Sequence, residues 1–119
     1  MGFKFEELKI WQEAVKFAND IYTLVKKFPR GEQFGLTSQL TRAAVSISLN
    51  IAEGQGRNSH ADFSRFIQMS IGSVNEVATI LHIALEQKYI SKEEFNISYN
   101  KCIELSKMLY SFRKYLKQL

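Results

Sequence analysis

Along the chain, apolar residues recur at helical spacing in four long segments, and no stretch shows the alternation a half-buried strand requires. In the first segment Leu8, Trp11, Val15, Ala18, Tyr22 and Val25 repeat at alternating intervals of three and four, an a/d seam sustained for about three heptads. Phe28-Pro29 closes it, because the residue before a proline is pushed out of the α region. From Phe5 to Phe28 such a helix would span about 36 Å. Pro29 to Gly35 reads as a connection.

The second segment, about Leu36 to Glu53, places Leu40, Ala43, Ala44, Ile47 and Ile51 on one face. Gly54 and Gly56 then predict a stop in a left-handed turn. Ser59, with Asp62 three residues on, reads as the N-cap of a third helix. Its seam is Phe63, Phe66 or Ile67, Ser70, Val74, Val77, Leu81 and Ala84, and it runs to about Gln87. Gly72 inside it costs up to about 1 kcal/mol relative to Ala, which points to a close helix approach. Ser91-Lys92-Glu93-Glu94 is a cleaner capping box. The fourth seam, Phe95, Tyr99, Cys102, Leu105, Leu109, Phe112, Leu116 and Leu119, continues to the last residue. Three short connections between long helices predict antiparallel neighbours. The expected fold is an all-α, antiparallel up-down-up-down four-helix bundle, one domain over residues 1–119.

Charge is distributed unevenly on these helices. From Leu36 to Ala52 the only charged residue is Arg42, and from Phe66 to Leu85 the only one is Glu76. A bundle helix ordinarily carries a charged outer face. Here the positions predicted to point outward include Val45, Leu49, Ile71, Val77 or Ala78, and Leu85. Either this surface is simply rich in Ser, Thr and Ala, or it is a second buried face in a homo-oligomer; large apolar strips on monomers are uncommon and favour the second. Ser46, Ser48, Ser70, Gly72 and Ser73 would then permit close packing between subunits. Arg42 and Glu76 either pair across a helix–helix contact or stay solvated.

The chemistry-bearing residues are few. His60 and His82 have no Cys or acidic neighbour at metal-ligand spacing, so neither a metal nor a cofactor is expected. Cys102 falls on an apolar seam, where a buried, inert thiol is expected. Glu6-Glu7 and Glu93-Glu94 sit at helix starts, which the helix dipole explains. Gly54-Gln55-Gly56-Arg57 precedes a helix and reads as an anion site or a plain connector; it lacks the Gly-Lys-Ser/Thr ending of a P-loop. An enzyme is not expected. No apolar run approaches the roughly 18 residues that span a bilayer. The start is acidic and lacks an apolar signal core. With a single cysteine, these features predict a cytoplasmic protein with no membrane partner.

Sixteen Lys and Arg against twelve Asp and Glu leave a net charge of +4, modest until it is placed on the bundle. One predicted end gathers Lys4, Lys9, Arg57, Arg65, Arg113, Lys114 and Lys117 against Glu6, Glu7, Glu53 and Asp62, for +3. The opposite end balances to zero and the middle carries +1. A ring of subunits would multiply the basic end into a field able to hold phosphate backbone. The alternative is a solvated terminus whose cations suit the C-terminal dipole of the fourth helix. Arg57, Arg65, Arg113, Lys114 and Lys117 are the candidate contacts to RNA or DNA.

Several stretches carry a family resemblance. Leu8-Lys9-Ile10-Trp11-Gln12, Phe28-Pro29 and Phe34-Gly35-Leu36-Thr37-Ser38-Gln39-Leu40 precede Arg42-Ala43-Ala44-Val45-Ser46-Ile47. Asn50-Ile51-Ala52-Glu53-Gly54, Gly56-Arg57, Phe63-Ser64-Arg65-Phe66 and Gly72-Ser73 follow in order. This resembles the bacterial four-helix bundle proteins encoded in intervening sequences of 23S ribosomal RNA genes and their chromosomal relatives. The resemblance covers nearly the whole chain and is densest from Gly35 to Arg57. The sequence departs from the pattern at Thr41, where a second basic residue is common, at Leu49, where a small one is usual, and at Val77-Ala78, which replaces a more acidic stretch. The resemblance implies ring-like homo-oligomers, often pentamers, with no established enzymatic activity. Relatives include the accessory protein of diversity-generating retroelements, which implies RNA or DNA, a reverse transcriptase or another ribonucleoprotein as partners. Asn50, Glu53 and Arg57 match the family signature, and a structural role at the turn after the second helix is the reading their position favours.

Overall fold

Four helices carry the chain: α1 (Lys9–Leu24), α2 (Leu36–Gln55), α3 (His60–Glu86) and α4 (Lys92–Lys117). The computed structural model describes residues 2–119, and no strand occurs among them. α2 packs against α1 and α3, α3 packs against α4, and α1 touches α4 only sparsely. Tyr89 and Glu32 join the α3–α4 and α1–α2 connections at one end, through a hydrogen bond of 2.9 Å. At the other end Phe63 of α3 meets Phe112 of α4 beside the α2–α3 turn, ring centroids 5.3 Å apart. The helices therefore run up-down-up-down, as their periodicity and short connections require, in a body of 45 × 25 × 21 Å.

The helix starts follow their caps. Ser91 Oγ accepts the Glu94 amide at 3.1 Å, while Glu94 Oε1 accepts the Ser91 amide at 2.8 Å, the reciprocal pair of a capping box. Lys27 reaches the same Glu94 at 2.6 Å and, as the larger influence, holds its carboxyl below the usual carboxylate range together with the Ser91 amide. Ser59 Oγ accepts the Asp62 amide at 3.1 Å and starts α3.

Two expectations for α1 need correction. α1 begins at Lys9 and ends at Leu24, flanked by 3-10 turns at Lys4–Glu7 and Val25–Lys27, so it is shorter than the Phe5–Phe28 pattern suggested. Its buried stripe is also rotated: Ile10, Ala14, Phe17, Ala18, Ile21 and Leu24 face the core, while Tyr22 is exposed. Two interleaved series share the broad apolar face of α1. The series containing Trp11 and Tyr22 lies at its margin, where an indole N–H and a phenol O–H keep access to water.

The glycines differ from expectation as well. Gly56 has φ −81°, and none of the described glycines adopts positive φ. Gly54 lies inside α2, where a Cβ would stand 2.7 Å from both Phe63 Cδ1 and Phe66 Cβ; close approach, not a left-handed turn, demands glycine there. Gly72 is the converse, for a Cβ would meet nothing within 4 Å. The left-handed residue is Lys88, φ 63°, after α3. Tyr89 N–H donates to Ala84 O at 2.9 Å and Lys88 N–H to Leu85 O at 3.0 Å, the two bonds of a Schellman motif.

Candidate nucleic-acid interface

The bundle end that holds the α2–α3 turn, the start of α1 and the end of α4 is where the predicted cations gather, and they divide into two groups. Arg57 and Arg65 are locked into local pairs. Arg57 Nη2 lies 2.9 Å from Glu53 Oε1, one turn back, and Arg57 Nε lies 3.8 Å from Asp62 Oδ2. Arg65 Nε lies 3.0 Å from Asp62 Oδ1. Both guanidinium groups stand over the Phe66 ring, their carbons 4.6 and 4.7 Å from its centroid. These contacts bury Phe66 at a surface site and match much of the positive charge with acid. Glu53 and Arg57 thus pair with each other at the turn after α2, while Asn50 donates back to Ser46 O at 2.9 Å within α2. Asp62 also brings a carboxylate to the first turn of α3, where the helix dipole favours it, so the amides after Gly54-Gln55-Gly56 already have an anion beside them.

Arg113, Lys114 and Lys117 form the second group, and the ion pairs among the described residues include none of them. Arg113 and Lys117, one turn apart on α4, face Arg65 across a groove of about 300 Å³ floored by Ala61, Ser64 and Gln68. Lys114 lies outside this groove, exposed on the adjoining side of α4. The structure therefore brings Arg65, Arg113 and Lys117 together, leaves Lys114 beside them, and turns Arg57 to the opposite flank.

On that flank is a cleft the sequence reading missed. It measures about 480 Å³ and is lined by Arg57, Asn58, His60, Phe63, Phe112 and Tyr115, among others. Phe112 and Tyr115 rings stand 6.0 Å apart, and Tyr115 is 54% exposed. Its lining comes from the turn and from two helices about fifty residues apart in the chain, so no local spacing announces it.

The proposed subunit-contact face also sorts itself. Leu49 is 62% exposed, and Val45, Ala78 and Leu85 are half-buried against the core. Ile71 is 1% exposed and Val77 is fully buried, so both belong to the core of the chain itself and do not point outward as expected. α3 is flanked by both α2 and α4, which widens its buried arc beyond one seam. The small residues make bonds within the chain: Ser70 Oγ donates to Ile47 O at 2.9 Å, and Ser73 Oγ to Ser46 Oγ at 3.0 Å. Part of the charge poverty of α2 and α3 is therefore the requirement of their mutual close packing. The large apolar residues of α2 and α3 left exposed are Leu49, Met69 and Ile83, the last two unforeseen. Arg42 and Glu76 form no ion pair among the described residues.

The remaining chemistry is structural. Cys102 is buried, and desolvation pushes its thiol up to about 12, leaving no thiolate at neutral pH. His82 packs edge-on against Phe95 and Tyr99, at 4.9 and 5.4 Å. No group of three or more His, Cys, Asp or Glu able to hold a metal occurs among the described residues. No helix among them is long and apolar enough to cross a membrane.

Among curated proteins none matches the chain. Among solved structures it is similar to a protein of unknown function from the S23 ribosomal protein family of Bacteroides thetaiotaomicron VPI-5482. The two are 27% identical with a TM-score of 0.82, over 88% of this chain and 98% of the other. That likeness spans all four helices, and residues 6–111 match the sequence pattern described as 23S rRNA-intervening sequence protein. Fold, motif order and extent of the match agree: the chain belongs to the 23S rRNA-intervening sequence protein family.

Proposed function

We propose that this protein is a non-enzymatic homo-oligomeric bundle that binds nucleic acid, or a ribonucleoprotein, by phosphate contacts at its basic end. The observation that carries the reading is the convergence of Arg65, Arg113 and Lys117 on one α3–α4 groove, with Lys114 adjoining and no acid paired to the three α4 cations. Neutral Ser64 and Gln68 between them add donors that suit phosphate oxygens and carry no opposing charge. One such groove is a weak site. Several copies facing one way, in a ring of which a pentamer is the form the family resemblance suggests, would sum their fields. Exposed Leu49, Met69 and Ile83 on α2 and α3 offer apolar side chains for subunits to join. An accompanying reverse transcriptase or other ribonucleoprotein would supply the nucleic acid, and the expected place of action is the cytoplasm.

The test is binding of labelled RNA and DNA at about 50 and about 200 mM salt. Phosphate contacts from Arg113, Lys114 and Lys117 of one subunit predict roughly a tenfold or greater loss of affinity over that range, and more with several subunits engaged. Arg113→Glu combined with Lys114→Glu should lower affinity further while helicity and assembly stay intact. Absence of binding at the lower salt would overturn the reading. Exposed Leu49, Met69 and Ile83 would then favour a module that binds only protein.

A further inference from the structure

The basic groove and the aromatic cleft lie on opposite flanks of the same ridge. Ala61, Ser64, Arg113 and Lys117 line the groove, and their chain neighbours His60, Phe63, Phe112 and Leu116 line the cleft. Only the first turn of α3 and the last turns of α4 separate phosphate-binding chemistry from aromatic walls. A backbone that follows the cations reaches the cleft by crossing one helix width, about 10 Å.

The cleft has the features of a pocket for a flat aromatic ring with polar edges. Phe63 and Phe112 pack edge to face, at an interplanar angle of 65°, and fix one wall. Tyr115, half in water, offers a second face. Asn58, Arg57 and His60 also line the cleft, and the Asn58 amide and the His60 imidazole carry donors and acceptors suited to the edge of a nucleobase. A volume of about 480 Å³ is ample for one base. A paired base has both faces stacked and its edge engaged, so only an unpaired one can enter.

We propose that the cleft receives one unstacked base of a single-stranded nucleic acid whose phosphates lie on the Arg65–Arg113–Lys117 groove. This rests on the phosphate-binding reading above and adds to it a preference for single strands. The base stacks on Tyr115 and the Phe112 ring, and Asn58 and His60 hold its edge.

The experiment compares a labelled single-stranded RNA oligonucleotide with its duplex by fluorescence anisotropy, on the full chain and on Tyr115→Ala and Tyr115→Phe. Loss of one stacked base predicts about a five- to hundredfold weaker single-strand affinity for Tyr115→Ala, with Tyr115→Phe near the parent and duplex affinity unmoved. A 2-aminopurine base in the strand should be quenched by the parent and not by Tyr115→Ala. Equal affinity for both forms, with Tyr115→Ala unchanged, overturns the pocket while phosphate binding stands. No binding of either form at low salt overturns the phosphate-binding reading, and this one with it.

Discussion

Tyr89 donates its hydroxyl to Glu32 Oε2 at 2.9 Å, while the other oxygen of the same carboxylate accepts the Leu36 amide at 3.0 Å. One side chain thereby caps α2 and ties the α1–α2 connection to the residue that follows the left-handed end of α3. The Leu36 amide first, and the Tyr89 hydroxyl second, hold the Glu32 carboxyl below its ordinary value of 4.5. The bond to Glu32 in turn raises the Tyr89 phenol above 10.0.

These shifts give a pH dependence with a definite sign. A carboxyl whose folded value is depressed stabilises the fold above its unfolded value, and the contribution disappears as pH falls through the folded one. Stability should therefore decline on acidification below about pH 4.5, and Glu32→Gln should make that decline shallower without abolishing it, because Glu94 behaves likewise. Urea titrations at a series of pH values would show this; a parallel decline in parent and variant would refute the assignment. Tyr89→Phe and Glu32→Gln should also be coupled in a double-mutant cycle, since each removes the same bond.

Lys88 occupies the position that closes a Schellman motif, where glycine is usual. A left-handed residue with a Cβ costs about 1–2 kcal/mol, and glycine gives back about 0.5–1 of that through its freer unfolded chain. Lys88→Gly should thus raise stability by about 0.5–1 kcal/mol, whereas Lys88→Ala, which keeps the strained Cβ, should stay within about 0.5 kcal/mol of the parent. Equal behaviour of the two variants in denaturant would show that φ is not what matters there.

Two glycines in helices should respond oppositely to alanine. At Gly54 the added methyl would press on Phe63 and on the backbone-proximal Cβ of Phe66, both at 2.7 Å, so Gly54→Ala should cost about 1–3 kcal/mol. At Gly72 the space is open within the subunit, and helix propensity alone predicts a gain of up to about 1 kcal/mol. Thermal melts of both variants, with molar mass followed by light scattering, check the pair. A Gly72→Ala variant that lost stability together with subunits would place Gly72 in a subunit contact.

The same glycines mark where the sequence was legible. Helix number, order and direction follow from periodicity, one proline and two serine caps, because these are local properties of a continuous segment. The left-handed residue was not legible: the chain places it at Lys88 and spends Gly54 on a contact with Phe63 and Phe66, nine and twelve residues on. The rotation of α1 escaped for a related reason, since two interleaved apolar series satisfy the same spacing and only the neighbouring helices choose between them. For the candidate site, the end at which cations gather could be read from topology. Which of them are free could not, because Glu53 and Asp62 neutralise Arg57 and Arg65 through geometry set by the α2–α3 turn.

Leu49 and Ile71 separate an outer face from the core. With Leu49 62% exposed, Leu49→Asp places a carboxylate in water in the single chain and should leave its unfolding free energy within about 0.5 kcal/mol. In the proposed assembly the same carboxylate would be buried against apolar side chains without a partner, at a cost that subunit contacts do not withstand. The expected result is a folded protein whose mass by light scattering is that of one chain. Ile71→Ala should behave in the reverse manner: at 1% exposure it removes core volume and should lose about 2–5 kcal/mol on denaturation. Its effect on subunit number should be no greater than that loss of fold explains. A Leu49→Asp variant that stays fully assembled would mean the outer face of α2 is free, and the search for the subunit contact would move to the sparsely packed side where α1 and α4 meet.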